Sequence, residues 1–148
     1  RIIKNQKIFK DPINIHKNDI LVRNPGVTGS NIIINKKKFF SLGGFKNSLE
    51  PSEDKDLILT AILNQFKISY SRTNVFFRSH KNERIITNYK KLSLGANSFY
   101  KKYKYLMNFK QKLIVINKIE ILKFKSKNFL RAPILIFFYL LNKMINDI

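Results

Sequence analysis

Two carboxylates stand side by side at Glu53 and Asp54, directly after Ser52 and just where an apolar-periodic stretch begins. Acids at a helix start can complement the helix dipole, or one of them can take a proton from a reacting hydroxyl. The helix end favours the ionised form of Asp54, whereas the neighbouring carboxylate opposes it. Asp54-Lys55-Asp56 also spells an Asp-X-Asp triplet, a pattern able to hold a divalent cation through oxygen. Further on, His80 lies between Arg78 and Lys81. A neutral imidazole there can ligate a metal or be a surface histidine in a basic loop, and its two basic neighbours attract anions. Gly29, Ser30 and Asn31 combine a small residue, which leaves room for close approach, with an amide able to bond a hydroxyl; a bulged strand would use the same three residues. His16 has no motif around it. The absence of cysteine excludes a disulfide framework and thiolate chemistry, and fits a reducing compartment. Neither a Gly-rich phosphate loop nor a hydrolase arrangement of Ser, His and Asp is present.

These residues need elements to hold them. The stretch 1–23 shows no sustained period and reads as a loop with one short strand. Asn24-Pro25-Gly26 is a turn, and Val27 to Ile34 reads as a strand, its run Ile32-Ile33-Ile34 buried on both faces. Asn35 caps a short helix from Lys36 to Leu42, which Gly43-Gly44 ends; Phe45 then packs back as a core anchor. Ser52 is the expected N-cap of a second helix, with Leu57, Ile58, Ala61 and Ile62 on one face. Phe66, Ile68 and Tyr70 alternate as a half-buried strand, and Val75-Phe76-Phe77 forms another that runs out at His80. Tyr89, Leu92, Ala96, Phe99, Tyr103 and Leu106 recur at helical spacing, and the chain beyond is helical, basic and apolar.

Taken in order, Thr28-Gly29-Ser30-Asn31, Phe40-Ser41-Leu42-Gly43-Gly44-Phe45, Ser52-Glu53-Asp54-Lys55-Asp56-Leu57, Lys67-Ile68-Ser69-Tyr70 and His80 resemble the acceptor-side half of family 2 glycosyltransferases of the GT-A fold. The resemblance spans roughly residues 24–105. It implies an α/β fold: residues 1–105 as the C-terminal part of a GT-A mixed sheet with flanking helices, the nucleotide-binding half missing, and residues 106–148 as a helical extension. It also implies an inverting transfer from a nucleotide-sugar donor to the hydroxyl of a glycan or lipid-linked acceptor, as in cell-surface polysaccharide or lipid-glycan synthesis. In that family the base is the aspartate of the Glu-Asp pair, here Asp54, with Glu53 beside it. Gly29, Ser30 and Asn31 would line the cleft, Arg78 and Lys81 would face the diphosphate, and His80 would approach a Mg²⁺ or Mn²⁺ ion held mainly by the missing half. The family's own Asp-X-Asp ends a buried apolar strand, so the triplet at Asp54 is not that motif, and Asp56 reads as a solvated helix residue. The segment alone is expected to transfer no sugar, and Arg1 reads as a cut start.

The formal charge of +20 attracts any polyanion. Because the excess is mostly Lys and Arg is scarce, nucleic acid is not the expected partner. The apolar run Ala132 to Leu141 is about half the roughly 20 residues needed to cross a bilayer. With Arg131 and Lys143 around it, it suits a segment lying at an anionic membrane surface, or a helix packed on protein. Together these features predict a cytoplasmic protein, peripheral on the inner face of the plasma membrane. The competing reading is a non-catalytic basic module that binds nucleic acid or membrane.

Overall fold

The computed structural model describes residues 3–4, 7–8, 15–69, 88–126 and 137. Its elements are the strands β1 (Ile3–Lys4) and β2 (Lys7–Ile8) and the helices α1 (Lys17–Val22), α2 (Lys36–Ser41), α3 (Glu53–Leu63), α4 (Tyr89–Tyr103) and α5 (Phe109–Lys125). Short 3-10 turns cover Gly29–Asn31, Asn47–Leu49 and Lys104–Leu106.

The described residues contradict the expected GT-A mixed sheet. Among the described residues the single pairing is the two-residue antiparallel ladder of β1 with β2, and the rest is helices joined by turns and extended segments. A strand exists through its hydrogen-bonded neighbour, and neither Ile32–Ile34 nor Phe66–Ile68 has one among the described residues. Their alternation survives without the ladder. Ile32, Ile34, Phe66 and Ile68 all pack on a cluster of Leu42, Leu57 and Ala61, while Ile33 is 98% exposed. The apolar run is therefore buried on one side only. Tyr70 and the strand expected at Val75 lie outside the described residues.

Local chemistry explains most of the helix ends. The Asn35 carboxamide oxygen accepts the backbone N–H groups of Lys37 and Lys38 and starts α2. At its other end Gly43 and Gly44 take φ of 82° and 60°, donating their N–H groups to the carbonyls of Phe40 and Phe39. Ser52 does stand at the start of α3, but its side chain makes no capping bond. α4 begins with the Asn88 side chain accepting the N–H of Lys91, and α5 with a reciprocal pair between Asn108 and Gln111. α1 has no such sequence signal; six residues are too few to show a period.

The main core joins Ile20 and Leu21 of α1, Val27, Ile58 and Leu59 of α3, Phe99 and Tyr103 of α4, Met107, and Val115 and Ile119 of α5. α5, placed by sequence in the C-terminal extension, is thus one wall of that core. Because Leu57, Ile58, Leu59 and Ala61 are all buried, α3 is covered nearly all round. Its first turn is where the candidate residues sit.

Candidate functional site

α3 receives the chain from the Asn47–Leu49 turn and Pro51, a loop that lies against α4. Gly95 makes that approach possible: a Cβ on it would stand 2.4 Å from Pro51 Cδ and 2.8 Å from the Glu50 carbonyl oxygen. With the loop seated there, Glu53, Asp54 and Lys55 emerge half-buried in the first turn of α3.

Asp54 Oδ1 accepts the backbone N–H of Lys55 at 2.6 Å, and no cation pairs with its carboxylate among the described residues. Burial raises its proton affinity above the usual aspartate range, the Lys55 N–H opposes this, and the charge of Glu53 reinforces it. One oxygen of Glu53, Oε2, is buried with no hydrogen-bond partner among the described residues. Lys55 turns its Nζ over the Phe99 ring, 3.9 Å from the centroid. Burial, with Lys118 adding repulsion, pulls that ammonium down to about 7.

Asp56 is not the solvated residue that its sequence context suggested. It is 1% exposed and accepts Lys102 Nζ and Tyr103 Oη, both at 2.5 Å on Oδ1, with Lys46 Nζ 3.8 Å from Oδ2. Tyr103 also meets Thr60 Oγ1 at 3.1 Å. Burial works against the charged form of Lys102, but its bonds to Asp56 and Tyr103 outweigh this and hold the ammonium above its ordinary range. No sequence signal marks this burial: at helical spacing Asp56 falls with Glu53 and Thr60 in the one polar stripe of α3. Its partners are 46 and 47 positions away, a separation that no local pattern encodes.

The Gly29–Asn31 segment is an exposed turn rather than a cleft strand. Asn31 Oδ1 accepts the Thr28 N–H and its Nδ2 donates to the Gly26 carbonyl, both at 2.8 Å, so both ends of the amide hold the turn together. Ser30 Oγ lies 3.0 Å from Thr28 Oγ1. A Cβ on Gly29 would lie 3.8 Å from Phe45 Cζ, which brings this turn beside the segment after α2. Phe45 is 43% exposed, not a core anchor. His80, Arg78 and Lys81 lie outside the described residues.

The described residues hold no metal cluster of their own. No three His, Cys, Asp or Glu side chains converge among them, and the Asp56 carboxylate is taken up by lysines and a tyrosine. No described helix is long and apolar enough to cross a membrane. Comparison with family models, curated proteins and solved structures finds no match.

Proposed function

We propose that this chain contributes the acceptor side of an inverting glycosyl transfer, in which Asp54 takes the proton of the acceptor hydroxyl as that oxygen attacks the anomeric carbon of a nucleotide-sugar. The reading is supported by one observation above all: Asp54 is half-buried, unpaired with any cation among the described residues, and raised in proton affinity. A hydroxyl is a poor nucleophile near neutral pH, and a carboxylate that binds a proton more strongly than usual is a better base for it. The order of motifs around Asp54 points to sugar transfer among base-catalysed reactions. Arg78, Lys81 and His80 are proposed for the departing diphosphate. No step here runs through a metal.

The test uses the complete polypeptide encoded by the reading frame that contains this sequence, with soluble acceptor and nucleotide-sugar. Asp54→Asn should lower turnover at least about 100-fold, as loss of a general base does, while nucleotide binding and thermal midpoint stay near wild type. Turnover in the wild type should fall on acidification at a pH above the ordinary aspartate range, because the raised proton affinity keeps the base protonated there. Turnover of the variant within a few-fold of wild type removes Asp54 as the base.

A further inference from the structure

The corner formed by residues 33–45 shows water an unusual set of side chains. Ile33 is 98% exposed, Phe40 64% and Phe45 43%, and between them Lys36, Lys37 and Lys38 are exposed on α2. The two exposed phenylalanines are not loose. Phe39 stands behind them, edge-on to Phe40 at 5.6 Å and to Phe45 at 5.3 Å between ring centroids. Phe39 in turn lies close against Gly44, where a Cβ would be 3.1 Å from the ring. Charge is equally one-sided: from Asp19 to Glu50 the sequence holds no acidic residue between them, while Arg23, the three lysines of α2 and Lys46 are basic.

We infer that this corner docks on a bilayer surface carrying anionic lipid. Aromatic and aliphatic groups next to lysines match the boundary between headgroups and acyl chains, where the apolar groups leave water and the ammonium groups meet phosphates and carboxylates. The charge complementarity is with a diffuse anionic sheet rather than a base edge. Lys is a point charge without the fork that reads guanine, and the Asn35 amide oxygen is spent on capping α2; the Phe40 and Phe45 rings could stack bases, so single-stranded RNA is the competing outcome of the test. This surface is built from residues 33–45, which are other than those of the apolar run at 132–141 in the sequence. It also stands independently of the transfer chemistry, so vesicle binding can fail while Asp54→Asn still abolishes transfer, and the reverse.

The experiment is co-sedimentation of the full chain with vesicles of phosphatidylcholine, with and without a third of phosphatidylserine, at low and high salt. Two variants separate the contributions: Lys36→Ala/Lys37→Ala, which spares Lys38 over the Phe66 ring, and Ile33→Ser/Phe40→Ser, both at exposed positions. The lysine variant should bind the anionic vesicles about 30-fold more weakly at low salt, the loss shrinking as salt screens the lipid charge. The apolar variant should lose about tenfold or more at every salt, because screening does not touch buried area. Both should keep the wild-type thermal midpoint. Unchanged binding in both variants, equal binding to the two vesicle types, or losses confined to single-stranded RNA with vesicle binding intact would each overturn the inference.

Discussion

Gly95→Ala should destabilise this protein although it replaces the poorest helix former except proline with the best. In the middle of α4 the propensity change alone favours alanine by about 1 kcal/mol. Against it stands the contact geometry: the new Cβ would meet Pro51 Cδ at 2.4 Å, Pro51 N at 2.7 Å and the Glu50 carbonyl oxygen at 2.8 Å. Ordinary contact lies near 3.5–4.0 Å, so the loop must retreat by about 1 Å. Two of the three atoms are backbone and have no rotamer to change. Retreat is resisted because Leu49 is buried just before the loop and α3, covered nearly all round, begins just after it. Overpacking of this kind costs about 1–3 kcal/mol, occasionally more. Three contacts under 3.0 Å, two of them to backbone, put this site at the upper end of that range. After the propensity gain of about 1 kcal/mol we expect a net loss of about 2 kcal/mol, read as a lower urea midpoint with unchanged slope, whereas Lys101→Ala on the exposed side of α4 should move it by less than about 0.5 kcal/mol. A Gly95→Ala protein as stable as wild type would show that the loop does not sit on α4 as described, and would undo the account of how Glu53 and Asp54 are placed.

Two further outcomes follow from the first half of α3. Lys55→Met should raise the thermal midpoint, because the folded state binds the Lys55 proton less readily than the unfolded chain does. With a folded value of about 7 against an ordinary 10.5, wild-type stability rises with pH between those limits; the gain from Met should thus be full below pH 7 and shrink towards pH 10.5, and a gain constant across pH would refute it. Some of the penalty is already recovered where the ammonium faces Phe99. Asp56→Asn should cost about 1–3 kcal/mol in chemical denaturation and Tyr103→Phe about 1 kcal/mol, the lower ends favoured because the Lys102 side chain is 33% exposed. The two should be non-additive, and strictly additive losses would mean that Asp56 and Tyr103 do not share a bond.

Elements whose ends are fixed by short-range chemistry were legible in the sequence. Asn35 before α2, Gly43-Gly44 after it, and the three-and-four spacing of α4 are each settled within a few residues. Phe66 and Ile68 were rightly placed inward, because alternation specifies which side chains meet the core. It does not supply a hydrogen-bonded neighbour, which is why the same segments misled about the sheet. Asn31 was read for its capacity to bond a hydroxyl, yet both ends of its amide close a turn onto Gly26 and Thr28. A carboxamide satisfies local backbone groups as readily as a ligand, and sequence alone cannot rank the two. Gly95 carried no cue either, since its neighbour across the contact, Pro51, is far away along the chain.

Asp56 remains the residue whose placement asks most for a reason. Only 9 acids balance 29 basic residues in this chain, and one of them is almost wholly removed from water. Burying a carboxylate is costly, and a well-packed apolar residue often gives equal or greater stability, so strength is a weak explanation for it. Direction is a better one. Asp56 fixes where α3 lies against Lys102 and Tyr103 of α4 and ties both to Lys46 in the segment after α2. An apolar contact at this point would tolerate sliding or rotation of one helix on the other; two oriented hydrogen bonds to one oxygen, with the Lys46 ammonium 3.8 Å from the other, do not. Since Asp54 stands two residues before Asp56 on the same helix, any rotation of α3 would swing the proposed base with it. The buried carboxylate thus orients the turn that carries Asp54, and under the proposed transfer the turnover per folded molecule of the Asp56→Asn protein should fall beyond what its lost stability accounts for.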